Sequence, residues 1–261
     1  MSQTVFDERA AAQLERLYRS RDVRRRRQLV REALEVRRGH RVLDVGCGPG
    51  FLTADLLADV GPEGDVVGID SSPVMLAAAT QRCREHANAS FQPGSATALP
   101  VPDGAFDRVL CVQVLEFVPD TAAALGELHR VLRPGGRAVV WDVDWATLSW
   151  HSGDPARMAR MLQAWDRHVA HPALPQVLAT AFRRAGFSDV RADAHAFATT
   201  APDPETYGGN ALTMVHNDLS GLADLDPREV QAWADEQREL GERGEYYFSV
   251  TQVCFSAVRP S

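Results

Sequence analysis

The sequence predicts an α/β fold, a doubly wound parallel sheet with helices on its faces. Three observations carry this. Short apolar runs alternate with amphipathic stretches from residue 40 to 143, a glycine-rich turn follows the first run, and proline, glycine or a capping side chain punctuates the later ones.

The first strand is the run Val42, Leu43 and Val45, which leads into Gly46-Cys47-Gly48-Pro49-Gly50 and then a helix from Phe51 to Val60. Asp44 lies inside that run, where a carboxylate is costly unless it meets a donor or a cation. Val66 to Asp70 is the second strand, and Ser72-Pro73 opens a helix with Met75, Leu76, Ala79 and Cys83 on one side. Ser90 to Gly94 and Phe106 to Val114 form the third and fourth strands. Pro119-Asp120 starts the next helix, and Pro134-Gly135-Gly136 ends it before a fifth strand from Arg137 to Val143. A helix beginning at Asp154-Pro155 carries Met158, Met161, Leu162, Trp165 and Val169 in one stripe, a pattern that reads as packing. Another runs from Gln176 to Ala185. Val190 to Phe197 and Tyr247 to Val258 are the sixth and seventh strands. Between them Asp226-Pro227-Arg228-Glu229 marks a helix start with a capping box.

Before the core, Phe6, Ala10, Leu14, Leu17 and Tyr18 recur at helical spacing. Arg19 to Arg38 follows as a second helix with Leu29, Val30, Ala33 and Leu34 on its apolar face. Its arginines read as a solvated face. The alternative is that Tyr18 or an arginine from Arg24 to Arg27 closes over a carboxylate in the glycine cradle.

With 261 residues and 45% hydrophobic content the chain can bury a full core, and a net charge of -7 argues against a dedicated nucleic-acid binder. All 28 basic residues are arginine, which excludes lysine Schiff-base and Walker-lysine chemistry. Cys47, Cys83, Cys111 and Cys254 are too dispersed for a zinc site or disulfide framework, so no metal is expected and a reduced cytoplasm fits. Met1 to Arg9 lacks an apolar signal region, and no apolar run reaches the ~18 residues of a bilayer span. A protein without a membrane partner, monomeric or homodimeric, is expected.

The glycines fall as Gly46-x-Gly48-x-Gly50, unlike the dinucleotide fingerprint. Val42 to Gly50 resembles motif I of class I S-adenosylmethionine-dependent methyltransferases, in the small-molecule branch similar to ubiquinone and menaquinone C-methyltransferases. Gly68-Ile69-Asp70-Ser71-Ser72 with Met75, Ala96-x-x-Leu99-Pro100, Phe106-Asp107 with Gln113 to Glu116, and Arg130 to Gly136 agree in order and spacing. The resemblance implies a Rossmann-like sheet of about seven strands, the last antiparallel. It also implies S-adenosylmethionine as cofactor and S-adenosylhomocysteine as product.

On that reading Gly46, Cys47, Gly48 and Gly50 bring main chain close to the methionine and ribose, and Asp44 orients the cationic amino group. Asp70, with Ser71 beside it, accepts the ribose hydroxyls. Met75 or Ile69 packs on the adenine. Ser95 stands where many relatives have an acid for the adenine amino group, a weaker acceptor; Ala96 follows it, and Gln113 approaches the methionine end. Phe117 stands where relatives often show histidine, and Glu116 reads as a structural anchor.

The sulfonium methyl is already activated, so the enzyme mainly aligns a nucleophile and excludes water. A hydroxyl or carbon acid needs a base, for which Asp144, His151 and His216 are candidates by position. Tyr18, Trp145, Tyr207 and Trp233 are candidates for an aromatic acceptor pocket, and equally for core. The expected organisation is a helical cap over 1–39, a cofactor core over 40–198 and 245–261, and a lid over 199–244. The activity expected is methyl transfer to a small metabolite at N, O or C, in secondary metabolism. The other reading is a relative that binds the cofactor without transferring methyl, cyclase-like or regulatory.

Overall fold

The computed structural model describes residues 15–261. Phe6, Ala10 and Leu14 of the expected first helix lie outside the described residues; residues 15–19 are helical. Helix α1 (Arg21–Leu34) follows, capped by Ser20, whose hydroxyl accepts from Val23 N. Its buried residues are Val23, Arg26, Val30 and Leu34, so the inward stripe is rotated from the expected one and includes an arginine.

The core alternates β1 (Arg41–Val45), α2 (Phe51–Val60), β2 (Asp65–Asp70), α3 (Pro73–Arg82), β3 (Ala89–Pro93), β4 (Phe106–Val112), α4 (Thr121–Val131) and β5 (Leu132–Trp150). Then come α5 (Pro155–Trp165), α6 (Pro175–Arg184), β6 (Ser188–Thr199), α7 (Tyr207–Leu219), α8 (Pro227–Glu242) and β7 (Phe248–Val258). The seven strands form one sheet in the order β3-β2-β1-β4-β5-β7-β6. β1 is parallel to both β2 and β4, while β7 runs antiparallel to β5 and β6. The chain order therefore reverses between β1 and β4, the place where open α/β sheets bind ligands.

β5 is much longer than the run Arg137 to Val143 suggests. Antiparallel pairing with β7 continues past a register shift to Ser149↔Ser249 and Trp150↔Phe248, and this non-local ladder holds the polar stretch extended. In α8, Asp226 caps the helix by accepting from Arg228 N at 2.9 Å. The expected capping box is replaced, because Glu229 instead takes Arg160 Nη2 at 2.5 Å.

Two apolar clusters cover the two faces of the sheet. One packs α1, α2, α5, α7 and α8 on Val42, Leu110, Trp141 and Val143; the other packs α4 and α6 on Leu43, Val45, Cys111 and Val140. The segment between β6 and β7 thus shares its core with α1. Tyr207 N donates to Asp22 Oδ2 at 2.8 Å and joins the two directly. Among the described residues no helix is long and apolar enough to cross a membrane.

Candidate active site

The glycine turn is fastened from below, with Gly46 N and Cys47 N both donating to Ile69 O at 2.7 and 3.0 Å. Gly46 has φ 72°, and a Cβ there would run into the Val114 side chain. Gly50 has φ 77°, and its Cβ would lie 2.9 Å from Ala79 Cα. Both positions need glycine for backbone conformation and for space.

Two acids flank this turn. Asp70 accepts from Gly48 N and from Ser72 N, each at 2.9 Å, so its carboxylate ties the glycine turn to the start of α3. Ser72 caps that helix through Met75 N, which leaves Asp70 free of the capping role. Asp44 is 2% exposed, and its Oδ2 accepts from Thr53 Oγ1 at 2.6 Å. Burial raises its pKa to about 7, the Thr53 hydrogen bond opposes that, and the charge of Asp70 adds to it. A cation brought to Asp44 would relieve the cost of its burial.

Met75 and Ala96 are buried, whereas Ser71 and Ser95 are exposed. The Ser95 hydroxyl lies 2.9 Å from Thr97 Oγ1 and accepts from Thr97 N at 3.2 Å. Cys47 is buried and its thiol is pushed up by that burial, which makes it inert as a nucleophile. The two carboxylates suit a ligand with a cation at one end and a ribose at the other.

At the end of β4, Gln113 adopts φ 53°, a left-handed conformation costly for a non-glycine residue. Its N–H donates to Trp141 O at 2.6 Å. Arg26 Nη1 donates to Gln113 Oε1, and Gln113 Nε2 donates to the Tyr207 hydroxyl at 3.3 Å. The Tyr18 hydroxyl lies over the glycine turn, 3.5 Å from where a Gly48 Cβ would stand, and its ring stacks on Phe51 with centroids 5.4 Å apart. Helix α1, the β4 end and α7 therefore meet at one place.

Glu116 anchors the neighbouring edge. Only 1% exposed, its Oε2 accepts from Val143 N at 3.3 Å and Trp145 Nε1 at 3.1 Å. Its carbonyl also receives Ala170 N and His171 N. Burial raises its pKa to about 7, against the two hydrogen bonds and the charge of Arg26. Nearby, Asp142 is fully buried; its oxygens lie close to the Val114 and Glu116 amides but neither oxygen has a hydrogen bond of good geometry.

The base candidates are placed elsewhere. Asp144 accepts from Gln176 Nε2 of α6 at 3.2 Å, on the face of the sheet that α6 covers. His151 is exposed beside Tyr247, and His216 lies on α7 next to the buried Val215. Among the described residues no hydrogen bond joins any of the three to the Arg26, Gln113 and Tyr207 cluster. Trp145 reaches the site through Glu116. Trp233 is fully buried against Trp150, with ring centroids 5.2 Å apart, and packs as core.

Sequence reasoning did not name Thr53, and it named Arg26 only within the run Arg24 to Arg27 that could close over a carboxylate in the cradle. Thr53, a hydroxyl on the first turn of α2, holds Asp44. Arg26 sits in register with Val23, Val30 and Leu34, so its burial was readable from helical spacing.

The reversal of strand order between β1 and β4, the antiparallel β7 and the glycine turn with its two acids make a Rossmann-like fold similar to that of class I S-adenosylmethionine-dependent methyltransferases. Residues 42–136 match the family model described as a methyltransferase domain. The chain is similar to a demethylmenaquinone methyltransferase of Staphylococcus carnosus (strain TM300), 37% identical over 122 residues, covering 47% of this chain and 51% of that protein. The chain spans about half or less of the length of the curated relatives it matches. Among solved structures it resembles the [4+2]-cyclase SpnF, at 25% identity and TM-score 0.59, over 91% of this chain and 81% of that one. It also shares its fold with Haemonchus contortus phosphoethanolamine N-methyltransferase 2, solved in complex with S-adenosyl-L-methionine. That match has 16% identity and TM-score 0.66, over 99% of this chain and 59% of that one.

Proposed function

We propose that this chain transfers the methyl group of S-adenosylmethionine to a small organic acceptor. The observation that carries the reading is the buried, cation-seeking Asp44 beside a glycine turn whose Gly48 amide is held by Asp70. In this reading Asp44 orients the cofactor's amino group, and the backbone at Gly46, Cys47, Gly48 and Gly50 follows its methionine and ribose. Asp70 and Ser71 take the ribose hydroxyls, Met75, Ser95 and Ala96 border the adenine, and Gln113 faces the methionine end. When bound, the cofactor supplies an activated methyl group.

The chain's own work is then alignment and exclusion of water. Tyr18 covers the turn, and residues 199–244 serve as the acceptor-side lid above a core of 40–198 and 245–261, with 1–39 as cap. A neutral amine needs no base; for a hydroxyl or carbon acid at most one takes part, with Asp144, His151 and His216 as candidates. Trp145 and Tyr207 border the acceptor. The reading takes the acceptor to be a metabolite of secondary metabolism, methylated in the cytoplasm.

A second reading, cofactor binding without methyl transfer, is favoured by the likeness to a [4+2]-cyclase. Calorimetric titration with S-adenosylmethionine, S-adenosylhomocysteine and NAD, followed by methyl-labelled turnover on fractionated metabolites, tests both. Adenosyl binding with labelled product is expected. Binding with no label transferred to any fraction would support the second reading, and binding of NAD alone would remove both.

A further inference from the structure

Arg26 is 2% exposed, yet the one hydrogen bond its guanidinium makes among the described residues is from Nη1 to the amide oxygen of Gln113. Its buried Nε has no partner, and no described carboxylate stands within ion-pair distance. The adjacent arginines are placed differently: Arg24 and Arg25 are exposed, and Arg27 donates to Asp55 at 2.7 Å and to Tyr18 O at 2.6 Å. Burial disfavours a cation held this way, and the acid Glu116 offsets that only through space, so a carboxylate reaching the Nε of Arg26 would be favoured. The free Nε edge of a guanidinium is the edge that takes a carboxylate in bidentate fashion.

The surroundings indicate which ligand would bring that charge. Arg26 meets Gln113, which in turn donates to the Tyr207 hydroxyl of α7. Asp44 and Asp70, which hold the cofactor in the reading above, act on Tyr18, above the glycine turn. Glu116 is already committed to Val143 N and Trp145 Nε1. Arg26 thus lies against Gln113 and near Tyr18, whose hydroxyl stands over the glycine turn.

We propose that Arg26 binds a carboxylate of the methyl acceptor, with Tyr18 and Tyr207 alongside it and Gln113 setting the plane of the guanidinium. This rests on the methyl-transfer reading. The acceptor class it names is a small organic acid, held by a side chain that α1 carries into the site.

Calorimetry on the full chain tests it, with benzoate and its neutral analogue benzamide as probes. S-adenosylhomocysteine is titrated first; failure to bind would overturn the methyl-transfer reading and this one with it. Protein saturated with S-adenosylhomocysteine is then expected to bind benzoate at least about tenfold more tightly than benzamide. Arg26→Gln should abolish that preference while holding S-adenosylhomocysteine affinity within about twofold, and Arg26→Lys should keep part of it. A wild-type protein that does not prefer benzoate overturns the proposal, and this arm does not depend on any variant folding. So does a preference that survives Arg26→Gln. A loss of S-adenosylhomocysteine affinity in Arg26→Gln with unchanged affinity for 5′-methylthioadenosine also overturns it, assigning the guanidinium to the cofactor's carboxylate.

Discussion

At the glycine turn the buried or half-buried polar groups are matched: Asp70 holds two amides, Asp44 holds the Thr53 hydroxyl, and Gly46 and Cys47 share one carbonyl. Beyond Gln113, by contrast, Arg26 Nε is buried without a partner, and the buried oxygens of Asp142 make no hydrogen bond of good geometry. The difference separates a cradle that is already assembled from a region whose polar groups still carry the cost of burial. An assembled site binds without reorganisation, and it is the one that family resemblance reports. The unmatched region is where selectivity for the acceptor can arise.

The largest effect should come from Asp70→Ala, which removes both the tie to Gly48 and the acceptor for the ribose. S-adenosylhomocysteine affinity is expected to fall roughly 100-fold by calorimetry, as for loss of two charge-assisted hydrogen bonds. An unchanged affinity would break the assignment of the cofactor half. On the other side, Glu116→Ala should cost about 2–3 kcal/mol in urea denaturation, because Val143 N and the Trp145 indole lose their shared acceptor. Glu116→Gln keeps an acceptor there and should cost clearly less.

Asp44 sharpens the comparison through pH. Its folded pKa near 7 lies above the ordinary carboxylate value, so the folded protein holds the proton more tightly than the unfolded chain. Its contribution to stability is full below about pH 4 and is lost as pH rises through about 7. A cationic ligand favours the charged form, so S-adenosylhomocysteine affinity should rise with pH up to about 7 with release of a proton. Titration in buffers of different ionisation enthalpy reads that proton directly. Asp44→Asn should bind roughly tenfold more weakly at neutral pH, with the pH dependence removed. The smallest effect belongs to the surface of α1: Arg31→Ala breaks a partly exposed pair with Asp59 and should cost no more than about 1 kcal/mol, less at high salt.

Much of the cofactor half was legible because its determinants are neighbours in the chain. Gly50 and Gly61 bound α2, Ser72-Pro73 opens α3, and Asp154-Pro155 and Asp226-Pro227 open α5 and α8. The length of β5 was not legible, since residues beyond Val143 are held extended by pairing with β7 about a hundred positions away. Nor was the place of Trp233, which α8 buries against Trp150 rather than presenting to a ligand.

The sequence by itself determined the alternation of strands and helices, the glycine turn and the spacing from Asp44 to Asp70, since caps, apolar periodicity and turn residues act over a few positions. Tertiary structure alone decided that Arg26, the buried one of four consecutive arginines, faces Gln113, 87 residues away, and that α1 meets the insertion through Asp22 and Tyr207, 185 residues apart. A helix carries its charges at fixed angles, but which angle is shut away from water depends on what packs against it.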